Sequence, residues 1–164
     1  MLAPAHYIAM RASLNRSEVS FGCGGLRLFE ASEIERKQVG YSVAPDGTSL
    51  CGTGEGQWRP SWIVIGCETA CGDPLFIETN NSALPVFTAI HGEDDWEPVP
   101  IAISVKVFLT SLEEFAQVAA GRRNPVERDA NPLTEDERNL FLGRIAALND
   151  GLVELGFWEA LLAS

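Results

Sequence analysis

The sequence predicts an α+β fold: a mixed or antiparallel sheet of about five to six strands, flanked by helices and followed by a C-terminal helical extension. Three observations predict it. Between Trp62 and Ile90, short apolar runs rich in β-branched and aromatic residues are bounded by Gly, Pro, Asn or Asp, the pattern of strands and turns. From Val105 to Ala119, apolar side chains recur at three- and four-residue spacing, the period of a helix with one buried stripe. Beyond Thr134 the same spacing returns and ends in an apolar C-terminus.

The strand region holds the centre of the expected sheet. Trp62-Ile63-Val64-Ile65 closes on Gly66. Leu75 to Thr79 opens from Gly72-Asp73-Pro74, and Val86 to Ile90 opens from Pro85. Asn80-Asn81-Ser82-Ala83-Leu84 is turn chemistry, so the second and third runs pair as a hairpin. Upstream, Pro4 to Asn15 reads as a short helix with Pro4 in its first turn. Phe21-Gly22-Cys23-Gly24-Gly25 reads as a flexible turn into a strand at Leu26-Arg27-Leu28-Phe29, because no helix follows it to make a phosphate cradle. Ser32-Glu33-Ile34-Glu35 has the spacing of a capping box and predicts a helix of one or two turns. Tyr41-Ser42-Val43 reads as a brief strand and Ala44 to Pro60 as a loop.

Downstream, Ser104 is the expected N-cap of the amphipathic helix, with Gly121 just past its end. Arg122 to Pro132 reads as a polar linker. Thr134-Glu135-Asp136-Glu137 is a second capping box, and its helix should end near Asn149-Asp150-Gly151. Leu155, Phe157, Trp158, Leu161 and Leu162 are too apolar for a free tail and should dock. The expected organisation is a core over residues 1–121 and an extension over 122–164 packed on it as one domain.

Composition narrows the function. The 164 residues are 46% hydrophobic and 21% charged, which suits a folded domain. Twelve basic residues against 23 acidic ones give a net charge of −11, the wrong sign for gripping phosphates, so no nucleic-acid partner is expected. The same charge suits steering towards a basic protein. No apolar run is long enough to cross a bilayer and no secretory signal opens the chain; the expected location is cytoplasmic, with no membrane partner. Cys23, Cys51, Cys67 and Cys71 then read as free thiols. Cys67 and Cys71 with His91 would be a three-ligand metal set, but the spacing is not that of a zinc knuckle and buried free cysteine needs no metal. No cofactor or metal is expected.

One segment carries candidate chemistry: His91-Gly92-Glu93-Asp94-Asp95-Trp96-Glu97-Pro98. It admits three readings. It is a solvated acidic turn with Trp96 packed back on the sheet; an acid/base or metal site built from His91 and the Glu93 to Asp95 carboxylates, as in a small hydrolase; or a protein-binding patch of tryptophan among acids. No Ser-His-Asp signature, Walker loop or dinucleotide fingerprint supports an enzyme.

Several of these stretches resemble the SUKH superfamily, which includes a yeast cell-wall-assembly regulator and bacterial immunity proteins. Pro4-x-x-Tyr7 is similar to the family's early helix. The most specific match is Trp62 with Ile63-Val64-Ile65-Gly66, then Gly72-Asp73-Pro74-Leu75-Phe76-Ile77. The family's strand-ending aspartate is replaced here by Glu78. The resemblance implies structural roles for Trp62, Gly66, Gly72, Asp73 and Pro74. It also implies a non-enzymatic binding module without catalytic residues: an immunity protein that neutralises a toxin, often a nuclease, or else a regulatory scaffold. The expected contact surface is Asp73, His91, Glu93, Asp94, Asp95 and Trp96, flanked by the Ala44 to Pro60 loop.

Overall fold

Six strands follow one another across a single sheet, each antiparallel to the next, in the computed structural model, which describes residues 4–14, 16–92 and 95–163. They are β1 (Glu18–Phe21), β2 (Gly24–Leu28), β3 (Trp62–Glu68), β4 (Pro74–Glu78), β5 (Val86–Thr88) and β6 (Val99–Ala102). Five helices accompany them: α1 (Ala5–Ala12), α2 (Val105–Ala119), α3 (Pro125–Ala130), α4 (Glu135–Leu148) and α5 (Gly156–Ala163). This is the expected α+β fold, with the sheet antiparallel throughout.

The apolar runs become the middle of the sheet because they are buried on both sides. Every residue from Trp62 to Gly66 and from Pro74 to Ile77 is buried, so alternation disappears and a continuous apolar run remains. Gly66 sits beside a register shift in the β3–β4 pairing. A Cβ there would collide with the Arg27 carbonyl oxygen of β2, so the close approach of the two strands requires glycine. α2 packs against β1 and β6 and sends Phe108, Leu112 and Phe115 into the core. Its N-cap is Ser104, whose hydroxyl accepts the Val107 N–H.

Several expectations change. Phe21 to Gly25 is not a helix-to-strand connector: Gly22-Cys23 is the turn of the β1–β2 hairpin, with Phe21 paired to Gly24. β1 escaped notice because Val19 and Phe21 are the only two buried apolar positions in it. Ser32 caps nothing. The Glu33 carboxylate accepts the Glu30 N–H, and the chain makes turns and one short 3-10 helix at Arg36–Gln38. Tyr41 to Val43 forms no strand, only isolated bridges from Val43 to Val39 and Ser49. The third apolar run leaves the sheet at Thr88. β6 was hidden by Pro98 and Pro100, which break a strand pattern but are tolerated at the sheet's edge. The supposed linker contains α3, capped by Asn124 and started by Pro125.

Gln38 fills a gap in the ladder. β2 stops at Leu28, and Val64 of β3 would lack partners beyond it. The buried Gln38 amide donates to the Val64 and Ile34 carbonyl oxygens at 2.9 and 2.8 Å and accepts the Val64 N–H at 3.0 Å. One side chain thus satisfies both backbone groups of a buried residue.

The C-terminal helices enter the same core. Phe141, Ile145, Trp158, Leu161 and Leu162 belong to one cluster with the sheet and α2. The Trp158 indole N–H donates to the Ile101 carbonyl oxygen at 3.2 Å. The buried Asn149 amide accepts the Ile103 N–H and donates to the Ile145 carbonyl oxygen. Both contacts cover the free edge of β6 and the residue after it. Among the described residues, no helix is long and apolar enough to cross a membrane.

Candidate functional site

Tryptophan and tyrosine rings converge where the Ala44 to Pro60 loop meets the turn after β5. Trp58 is at the centre and almost fully buried. Its ring centroid lies 5.2 Å from Tyr41, 5.3 Å from Trp62, 4.9 Å from Phe76 and 5.2 Å from Trp96. Its indole N–H donates to the Trp62 carbonyl oxygen at 3.3 Å. Edge-to-face and tilted packing of this kind holds aromatic rings more firmly than area alone. The sequence reading missed Trp58, which a glycine-rich loop of no periodicity delivers. Its one signal was a large aromatic residue among glycines and polar side chains.

Trp96 is half-buried against this cluster, 5.5 Å from the Tyr41 ring. Its backbone N–H donates to the Gly56 carbonyl oxygen at 2.8 Å, tying the acidic turn to the loop. A Cβ on Gly56 would strike the Asp95 carboxylate, so glycine is what lets the two segments close. Between them opens a cleft of about 320 Å3, with Trp62 and Trp96 among its apolar walls. Glu55, Asp95 and Glu97 stand exposed at its margin, and none of the three forms an ion pair with another described residue. The cation in the cleft, Arg59, lies over the Trp62 ring with its guanidinium carbon 5.2 Å from the centroid.

The other expected residues divide. Asp73 is partly buried, and its Oδ1 accepts the His91 N–H at 2.7 Å; it thus fastens the β3–β4 connection to the acidic turn. His91 is exposed, with its ring 6.4 Å from both Tyr41 and Trp96. Its imidazole forms no hydrogen bond with another described residue. Glu93 and Asp94 lie outside the described residues. Trp62 is a structural residue: its indole N–H and the Ser61 hydroxyl both donate to Glu78 Oε2, at 3.2 and 2.9 Å.

Acid/base chemistry needs a proton-transfer group held by a partner. Here the Asp73 carboxylate faces a backbone N–H, not the imidazole. Burial pushes the Tyr41 hydroxyl and the Cys67 thiol up from their ordinary values, so both stay protonated near neutral pH. All four cysteines are free. Among the described residues, no three His, Cys, Asp or Glu side chains stand together to hold a metal ion, the imagined set of Cys67, Cys71 and His91 included. What the arrangement offers is a cleft with Trp62 and Trp96 in its walls and exposed carboxylates at its margin. The chain was compared with models of known families, with curated proteins and with solved structures, and matches none of them.

Proposed function

We propose that this chain is a SUKH-like, non-enzymatic protein-binding module of the cytoplasm, an immunity protein that blocks a basic toxin domain such as a nuclease. The observation that carries the reading is the cleft between Gly56 and Trp96, where Glu55, Asp95 and Glu97 surround a tryptophan-lined floor without ion-paired partners. Buried aromatic anchors with a charged rim are the ordinary composition of a binding hot spot. The net charge of −11 supplies the long-range field that would draw a basic partner in. Inhibition in this reading is occlusion: the carboxylates mask cationic groups that the toxin needs for its own substrate.

Trp96 is a poor residue for testing this, because it also packs on Trp58 and Tyr41. The exposed carboxylates are better. Tagged protein and the variant Glu55→Lys/Asp95→Lys/Glu97→Lys are used to recover partners from native lysate at low and moderate salt. The expected result is one basic protein retained by the wild type, released by salt and lost in the variant, with association slowed by at least about tenfold. Equal recovery by both proteins would remove the cleft from the interface. A partner that is not basic would overturn the electrostatic reading.

A further inference from the structure

Asp73 also lines a second concavity, a groove of about 210 Å3 between the β3–β4 connection, β5, β6 and α5. Its lining is almost wholly apolar, with Ala89, Ile90, Val99 and Phe157 in the walls. Ile90 is 59% exposed and Val99 39% exposed, so two large aliphatic side chains that face water do so around one hollow. Clustered exposure of this kind marks an interaction site more than scattered exposure does.

A further feature says what the groove accepts. Glu68 and Asp73 also line the groove. Backbone donors hold both carboxylates in position: Ala70 and Cys71 donate to Glu68 at 2.6 and 2.7 Å, and His91 donates to Asp73. Neither carboxylate forms an ion pair with another described residue, and among the described residues no Lys, Arg or His lines the groove. The complement of this surface is an apolar group beside a cation. The volume is below the range of roughly 300–1,000 Å3 usual for small-molecule sites and suits one large side chain.

We infer that the groove receives a single large apolar residue of a partner protein, with a Lys or Arg of the same segment against Glu68 and Asp73. The inference rests on the reading of the chain as a binder of basic proteins and gives that partner a recognition element. The Asp73–His91 hydrogen bond joins the groove to the acidic turn, so one partner can span both.

The test is an NMR titration of the isotope-labelled full chain with three capped tripeptides, Ac-Lys-Phe-Lys-NH2, Ac-Lys-Ala-Lys-NH2 and Ac-Glu-Phe-Glu-NH2. The first should give saturable shifts at the amides of Thr88, Ile90, Val99 and Ala160, and the other two should bind about tenfold more weakly or worse. Ala160→Trp fills the groove from an exposed helical position and should abolish those shifts while leaving the rest of the spectrum in place. Equal shifts with all three peptides, or shifts that survive Ala160→Trp, would overturn the inference. So would a native partner retained equally by wild type and Ala160→Trp, which leaves the protein-binding reading standing. Loss of that partner only in the Glu55/Asp95/Glu97 charge reversal would restrict binding to the cleft and overturn the groove.

Discussion

Gln38 acts on the fold through three hydrogen bonds. Its amide sits where β2 gives out, and replacing it with alanine would leave the Val64 N–H and carbonyl oxygen buried and unpaired. Each such group costs about 1–3 kcal/mol. Gln38→Ala should therefore lower stability by about 2–4 kcal/mol, measured as a shift of the urea midpoint with unchanged slope. A loss under about 0.5 kcal/mol would mean that solvent replaces the amide and that the segment 34–43 is not anchored by it. Nothing in Arg36-Lys37-Gln38-Val39 announces this role. The glutamine sits in a polar stretch, and its partner is distant in the chain. The same holds for Trp58 and Tyr41 at the candidate site. Asp95 and Trp96 were legible because acids and a tryptophan crowd into one short segment, whereas the rings beneath them arrive from a loop whose path depends on the finished sheet.

Helices show which signals are local enough to read. Ser104 and Thr134 cap as their spacing predicts, because a cap is decided within four residues. Ser32 has the same spacing to Glu35 and does not cap: the chain turns there and makes one short 3-10 helix at Arg36–Gln38, while the Glu33 carboxylate accepts the Glu30 N–H. At α4 the box is reinforced from outside. Arg122, buried although it opens a polar stretch, donates to both Glu137 carboxylate oxygens at 2.8 and 2.9 Å and to the Val118 and Asn131 carbonyl oxygens. The Thr134 N–H, then Arg122 and the Thr134 hydroxyl hold the Glu137 carboxyl down at about 2, from an ordinary 4.5. The folded state thus binds this proton less readily than the unfolded one. The stability it contributes is present above about pH 4.5 and lost as pH falls towards 2. Glu137→Gln should lower the melting temperature at pH 7 and make its fall between pH 4.5 and 2 shallower than in the wild type. Parallel acid profiles for the two proteins would show that Glu137 does not carry this linkage.

Across the whole molecule, the question is whether residues 122–164 are an appendage or part of one cooperative unit. Three contacts argue for one unit. Trp158 packs against Phe108 and Phe141 with ring centroids 6.2 and 6.0 Å away. Its indole bonds the Ile101 carbonyl oxygen at the sheet's edge. The Arg122 carbonyl oxygen accepts the Gly22 N–H at 2.8 Å, which ties the C-terminal segment to the β1–β2 turn. A chain joined to its sheet at both edges should unfold in one transition. Trp158→Ala removes a fully buried indole, a change that costs about 3–5 kcal/mol. If the helices and sheet are one unit, that loss moves the entire thermal transition, and near-UV signals from the Trp58–Trp62–Trp96 cluster shift together with the far-UV signal. If they are separate, the cluster melts at its original temperature while only helical signal is lost early. The second outcome would also bear on binding, because α5 forms one wall of the groove near Thr88 and an extension that melts on its own would open it.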